Sequence, residues 1–303
     1  MRVLGATIVT ALLTQAAYAA DYDYGPLRGS QYAPPAVAPV AMWEGAYFGA
    51  TAGISQGNFE FGKSLRNSIA GLLRNTVLEN EFAISNLLGM PSDDARGSSF
   101  GAFAGYNWQV DEIVFGIEVD YTRASLKGSS ADAIGRSFVT SDGYWNEAYL
   151  NGAASTHLRD FGTLRARFGY AMGSFLPFVT GGLAVGRAEV ASTAAVQIAG
   201  YHQAALAAAV QQFLQTGFKA PIPAYGYVSF NPLTLQRTLA APVVVGVATT
   251  EKYAVGVSGG AGVDWQVLPN LFLRGEYQYI NFGSFKDHKA YVNTVRAAAA
   301  LKF

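Results

Sequence analysis

From Trp43 to the last residue, apolar and polar side chains alternate in eight separate stretches, and a period of two sends successive side chains to opposite faces of a strand. In residues 45 to 55, Ala46, Phe48, Ala50, Ala52 and Ile54 share one face, and Tyr47, Gly49, Thr51, Gly53 and Ser55 share the other. Residues 99 to 110 set Phe100, Ala102, Ala104, Tyr106, Trp108 and Val110 against Gly101, Gly105, Asn107 and Gln109, with only Phe103 out of phase. After a turn at Asp111-Glu112, a third stretch puts Ile113, Phe115, Ile117, Val119 and Tyr121 opposite Gly116, Glu118, Asp120 and Thr122. Residues 161 to 171 oppose Leu164, Ala166, Phe168 and Tyr170 to Thr163, Arg165, Arg167 and Gly169.

A fifth stretch, 175 to 187, alternates more weakly, with Val179, Leu183 and Val185 against Thr180, Gly182 and Gly186. The sixth, 252 to 267, is the clearest: Tyr253, Val255, Val257, Ala261, Val263, Trp265 and Val267 oppose Lys252, Ser258, Gly260, Gly262, Asp264 and Gln266. Beyond Leu268-Pro269-Asn270, Leu271, Leu273, Tyr277 and Tyr279 oppose Arg274, Glu276 and Gln278. The last, about 290 to 303, sets Tyr291, Val295, Ala297, Ala299, Leu301 and Phe303 against Thr294, Arg296 and Lys302.

Stretches of this length match the roughly 9–11 residues that a tilted strand needs to cross a bilayer. Connections after the second, fourth and sixth are short. Those after the first, third and fifth are long, predicted as loops at 56–98, 124–158 and 188–250, which is the asymmetry of outer-membrane barrels. Aromatic residues fall at the strand ends: Trp43, Tyr106, Trp108, Tyr170, Trp265 and Phe303 at one rim, Tyr121, Tyr253, Tyr279 and Tyr291 at the other. Amphipathic rings prefer the headgroup level, so these predict two girdles. The predicted fold is all-β: a closed antiparallel up-and-down transmembrane β-barrel of eight strands, residues 43–303, with helical segments in long extracellular loops.

The N-terminus adds location. Arg2, an apolar run over residues 3 to 13 and the exit Ala17-Tyr18-Ala19 have the layout of a secretory signal, residues 1–19, cleaved before Ala20. Residues 20–42, with Pro26, Pro34, Pro35 and Pro39, read as an extended periplasmic tail. The expected destination is the cell outer membrane. The chain is 50% hydrophobic with a mean hydropathy of +0.17, yet beyond the signal it has no uncharged apolar run long enough for a membrane helix. The absence of cysteine excludes disulfides and thiolate sites. A formal charge of +0 supplies no basic face, so nucleic acid is not an expected partner.

The inward charges are the most informative cluster: Glu118, Asp120, Arg165, Arg167, Asp264, Arg274, Glu276 and Arg296. Regular hairpins place Asp264 opposite Arg274 and Glu276 opposite Arg296, and Arg165 and Arg167 neighbour Glu118 and Asp120. An eight-stranded interior is just wide enough for side chains to fill. The preferred expectation is therefore a plug; a charge-lined conduit, and so a small-solute porin, is the alternative.

Leu65, Ile69, Leu72 and Leu73, then Ile84, Leu87 and Leu88, recur at helical spacing within 64–90, and Leu206, Val210, Phe213 and Leu214 do so within 197–214. Such faces predict a cap over the barrel mouth, mutual packing or docking on a host or envelope protein. His288, Asp287 and Ser55, or His157 and Asp160, are the residues a rim-located hydrolase would use, but their spacing matches no hydrolase signature. His157, His202, His288, Tyr201 and Tyr47 are the side chains that could ligate haem. The expectation is no catalytic residue, no metal and no cofactor, haem being the one group these residues could hold.

Trp43-Glu44-Gly45-Ala46-Tyr47-Phe48-Gly49, Gly105-Tyr106-Asn107-Trp108-Gln109, Leu176-Pro177-Phe178-Val179-Thr180-Gly181-Gly182 and the closing Ala300-Leu301-Lys302-Phe303 resemble the OmpA-like eight-stranded outer-membrane barrels, in their porin-like surface-antigen branch. The resemblance covers nearly all of the chain after the signal except the tail and two loops, 56–98 and 188–250, which are long for that branch. It implies a non-enzymatic surface protein that contributes to envelope integrity and presents exposed loops. It implies contacts with outer-membrane lipid and lipopolysaccharide, and recognition of Phe303 by the barrel-assembly machinery.

Overall fold

The computed structural model describes residues 43–285 and 288–303; the expected signal and proline-rich tail lie outside the described residues. In chain order the elements are β1 (Gly45–Glu60), α1 (Arg66–Leu73), α2 (Val77–Phe82), a 3-10 turn (Ile84–Asn86), β2 (Asp93–Val110), β3 (Ile113–Val139), β4 (Tyr144–Tyr170) and β5 (Phe175–His202). There follow α3 (Gln203–Thr216), β6 (Ala224–Tyr225), β7 (Tyr227–Phe230), β8 (Arg237–Leu239), β9 (Val243–Leu268), β10 (Leu271–Phe285) and β11 (His288–Lys302).

Eight strands close into a ring. Antiparallel neighbours run from β1 through β2, β3, β4, β5, β9 and β10 to β11, which pairs back onto β1 with Tyr47 opposite Lys302. Closure removes every sheet edge within the ring, as backbone groups in lipid require. The outward row carries Phe48, Ile54, Phe115, Ile117, Leu164, Leu183, Val257 and Val295, all exposed, as a lipid-facing band must be. No described helix is long and apolar enough to cross a membrane. Periplasmic turns are tight: Asp111 (φ 52°) and Gly173 (φ 59°) adopt the left-handed conformation that reverses the chain in few residues.

Two expectations are corrected. The expected loop 124–158 is almost entirely strand: β3 and β4 continue as a hairpin to a turn at 140–143, where Gly143 has φ 82°. Residues 188–202 and 243–250 of the expected loop 188–250 likewise belong to β5 and β9, and loop 56–98 contracts to 61–92. The physical reason is that strands standing in water need no apolar outer face. The outer row Ser125, Ser129, Ala131 and Ala133 therefore lacks the alternation that marks a lipid-facing strand. Register shifts in adjacent pairs, at Arg123/Leu126, Leu158/Asp160 and Val190/Ser192, form a belt of bulges where the extension begins.

Trp43 is the other correction. It is 1% exposed and lies beneath the barrel, not in the lipid-facing girdle. Its indole N–H donates to the Gly173 carbonyl (3.3 Å), its main-chain N–H donates to Gln109 Oε1 (2.6 Å), and its ring meets Phe272 edge-on at 6.0 Å. Trp43 precedes the first paired residue, so no strand register holds it outward.

Candidate functional site

The lumen is built in layers. At the periplasmic end Trp43, Tyr47, Phe103, Val114, Leu176 and Phe272 form an apolar base. Phe103, the apolar exception in the inward row of its strand, belongs here: it faces inward, as does Phe178, and both lie against guanidinium groups, Arg274 at 4.4 Å from the Phe103 ring and Arg167 at 3.9 Å from that of Phe178.

Above the base stand all eight predicted charges, four arginines and four carboxylates, each buried. Adjacent-strand pairs occur as the hairpins dictate: Arg274 Nε donates to Asp264 Oδ1 (2.8 Å) and Arg296 Nη2 to Glu276 Oε2 (3.0 Å). Other contacts cross the barrel. Arg165 on β4 bonds its direct partner Glu118 on β3 and also reaches across to Glu276 on β10, Arg274 on β10 reaches Glu118 on β3 (2.6 Å), and Arg296 on β11 reaches Asp120 on β3 (2.5 Å). Arg167 bonds Asp264 (2.5 Å). Charges of this kind persist in a low-dielectric interior only when paired, and here every arginine meets at least two carboxylates.

The outer end is closed by a second apolar cluster. Phe59, Leu126, Leu150, Leu158, Phe161 and Phe282 from the strands meet Leu65, Ile69, Leu73, Leu78, Ile84 and Leu88 from segment 61–92. The helices therefore cap the mouth from within. Gly152 on β4 permits the contact: a Cβ there would lie 2.5 Å from Leu65 Cδ1 and 2.9 Å from Leu88 Cδ1. Thr76 caps α2 by accepting from the Glu79 N–H (3.2 Å), and the Glu79 carboxylate takes the Ser85 N–H (2.9 Å). Of the apolar positions predicted in this segment, Leu65, Ile69, Leu73, Ile84 and Leu88 are buried, Leu87 is half-buried and Leu72 is exposed; those predicted within 197–214 do not form a buried face, with Leu206, Val210 and Phe213 half-buried on α3 and Leu214 exposed.

At the distal tip a second buried hub appears that sequence reasoning missed. Glu147 on β4, 2% exposed, accepts from Arg237 Nε (2.7 Å) and Nη2 (3.0 Å) and from the hydroxyls of Tyr227 (3.0 Å) and Tyr149 (3.2 Å). Arg237 also lies over Trp145 (5.2 Å), and Trp145, Tyr201, Phe230 and Tyr227 continue as a chain of ring contacts. Burial disfavours ionisation of Glu147, but the bonds from Arg237, Tyr227 and Tyr149 outweigh it and hold the carboxyl below its usual range. Burial, then the bond to Glu147, pushes the Tyr227 phenol well up; burial also lifts that of Tyr225 to about 12. The hub fastens the β7–β8 hairpin to the β4–β5 extension. Residues 190 to 250 contain no Asp or Glu, so the carboxylate that meets Arg237 comes from outside that stretch.

The other candidates do not converge. His157 bonds Ser125 (3.0 Å) and lies 3.7 Å from Glu189, whereas His202 caps α3 by accepting from the Ala205 N–H (3.3 Å). Their register positions, opposite Glu189 and Tyr144, are separated by roughly 40 Å of strand at about 3.3 Å per residue. Tyr201 is in the ring chain, and Tyr47 donates to Glu118 in the lumen (2.9 Å). Ser55 is a buried lumen residue bonded to Thr294 (2.8 Å), because β1 runs on past it to Glu60; it is not at the rim. Asp160 is bound to Arg187 (2.5 Å); Asp287 and the His288 side chain lie outside the described residues. Among the described residues, no group of three His, Asp or Glu is placed to hold a metal. Of the predicted girdle, Tyr106, Trp108, Tyr121, Tyr170, Tyr253, Trp265 and Tyr279 face outward and exposed, Tyr291 faces outward half-buried, and Phe303 stacks on Phe48 at 5.6 Å.

The sequence pattern of the outer membrane protein beta-barrel domain matches residues 32–303. A 31 kDa outer-membrane immunogenic protein of Brucella melitensis is 27% identical over 314 residues, 97% of each chain. A 22 kDa outer membrane protein of Rhizobium leguminosarum bv. viciae is 28% identical over 163 residues, 53% of this chain and 51% of that one. Among solved structures, Ail, the attachment invasion locus protein of Yersinia pestis, covers 86% of this chain and 99% of its own at 11% identity and a TM-score of 0.32.

Proposed function

Because the chain belongs to the outer membrane protein beta-barrel domain family, located in the outer membrane, we propose that it works as a closed, non-enzymatic scaffold that reinforces the envelope and holds a structured loop away from the membrane surface. One observation carries this reading. β3, β4, β5 and β9 are 27, 27, 28 and 26 residues long, where about 9–11 suffice to span. From Arg123 to Val139, β3 offers roughly 50 Å of strand at about 3.3 Å per residue. That length is supported from within by the apolar cluster and the capping helices, a costly arrangement for a simple anchor. It ends at the buried Glu147 hub, which fixes the hairpin spanning Tyr227 to Leu239.

The family relation to an immunogenic outer-membrane protein is consistent with loops that are reached from outside. The test is complementation of a strain lacking this chain. The full chain, and a version with residues 204 to 240 replaced by a short turn, are both expected to restore resistance to detergent and bulky antibiotics. An epitope tag placed between β7 and β8 of the full chain is expected to be accessible on intact cells. A tag inaccessible on intact cells, or no permeability defect in the deleted strain, overturns the proposal.

A further inference from the structure

We propose that a hollow on the outer face of the strand extension, on the membrane side of the Glu147 hub, binds a neutral saccharide, with Tyr149 as the ring on which the sugar packs. The site is independent of any role in envelope strength.

Strand register makes the hollow. Gly135 on β3, Tyr149 on β4 and Gln197 on β5 are paired in one row, and Ala133, Asn151 and Ala195 in the next. With Pro242, which leads into β9, these residues line an open hollow of about 400 Å³, a volume within the range of small-molecule sites. From the Arg123–Asp160 pair to the Gly135–Tyr149 pair is roughly 40 Å of strand at about 3.3 Å per residue. The hollow therefore stands well clear of the lipid headgroups and opens to water.

Tyr149 is fixed at two points. Its hydroxyl donates to the buried Glu147 carboxylate (3.2 Å), and its ring covers Gly135, where a Cβ would lie 2.8 Å from Tyr149 Cδ1. The glycine lets the ring lie down on the sheet, and at 42% exposure its other face is turned to water. A ring already held in place loses little freedom when a ligand packs on it. Sugars carry patches of C–H groups that pack on such a ring, and a rim of hydroxyls that both donate and accept. Side-chain amides also do both. Asn151 is exposed beside Tyr149, and among the described residues its amide bonds none of its neighbours. Gln197 Nε2 donates to the Ala240 carbonyl, which ties the second amide to the chain entering Pro242.

Charge selects among ligands. No charged side chain lines the hollow, and Arg237, in the hairpin above it, is taken by Glu147 (2.7 Å) and lies over Trp145. A phosphate, sulfate or carboxylate would meet no cation in the lining, whereas a neutral sugar leaves no charge unpaired. The same face continues toward the membrane through Ala131, Ala153 and Thr193 to Ser129, Ser155 and Ala191, a second uncharged hollow of about 350 Å³. This adds roughly 20 Å at about 3.3 Å per residue, which gives room to a chain of several sugars. Because the hollow is open and far from the leaflet, the saccharide it takes is one from the cell's surroundings.

The test uses the full chain in detergent, passed over immobilised neutral gluco-, galacto- and manno-oligosaccharides. Sulfated and sialylated versions, and polysaccharide from the producing cell's own outer leaflet, are run in parallel. At least one neutral oligosaccharide is expected to be retained at least about tenfold more tightly than its sulfated or sialylated counterpart. Y149A is expected to lose that retention by about tenfold or more. G135A should weaken it with the tyrosine still present, because the added methyl displaces the ring, and Y149W should preserve it. K219Q, outside the lining, is the control, and heat-modifiable mobility on gels verifies that each variant is folded. Unchanged retention by folded Y149A, or no retention of any neutral oligosaccharide by the wild type, overturns the site. Tighter retention of the sulfated or sialylated versions overturns the neutral ligand, and tighter retention of the cell's own polysaccharide overturns its source.

Discussion

Arg165 has no solvent-exposed side-chain surface and touches Glu118, Asp120 and Glu276, carboxylates brought by β3 and β10. Taking two charges out of water costs several kcal/mol per ion, so such a network adds little net stability over an apolar filling, but removing one member leaves acids buried without a partner. Arg165→Met is expected to destabilise the barrel by about 3–5 kcal/mol in urea titrations from micelles. A loss below about 1 kcal/mol would mean that water reaches the network. The two ion pairs within hairpins, Asp264 with Arg274 and Glu276 with Arg296, were legible because tight turns set their register. The contacts across the barrel were not, since they depend on how far each strand is staggered when the ring closes. Trp43 escaped for a related reason: a residue outside any strand has no partner to assign its face.

Among the elements, the helical spacing in 61–92 was readable because Leu65, Ile69 and Leu73 repeat every four residues and all are buried. The length of β3, β4 and β5 was not, because period-two patterning is legible only where one face meets lipid. The hairpin anchor was also hidden, as Glu147 and Arg237 are 90 positions apart. Its behaviour with pH follows from sign. The folded Glu147 carboxyl titrates below the ordinary 4.5, so its stabilising effect is complete above that value and disappears as pH falls through the lowered one. Limited proteolysis within residues 217 to 242 is thus expected to be slow and constant from pH 8 to 5 and to accelerate only in stronger acid. Glu147→Gln should accelerate it about tenfold at pH 7, the effect of losing one charge-assisted hydrogen bond. Arg237 is partly exposed, so part of that effect will be screened at high salt.

For the whole molecule, three layers fill the lumen in series. Apolar base, ionic middle and apolar cap follow one another along the lumen, and their residues come from all eight strands and the segment 61–92. In planar bilayers at neutral pH the chain is expected to give no steady unitary conductance. Reproducible openings in the wild type would show that the layers rearrange together, and the plug would have to be a gate. The eight-strand ring was evident from alternation and turn spacing; its being closed at both ends required the structure.

The hairpin extension of β3 and β4 restricts how the gene can change. Leu126 and Leu158 point inward, Lys127 and His157 outward, and the two strands are held in one register from Leu126 to Val139. Deleting a single codon in either strand would turn every residue beyond it to the opposite face, bringing leucines into water and serines into the core. Insertions and deletions here are tolerable only in even numbers and in matched positions on both strands. The extension can therefore lengthen or shorten across generations in paired steps of about 7 Å, while the barrel beneath it and the hairpin at its end keep their sequences.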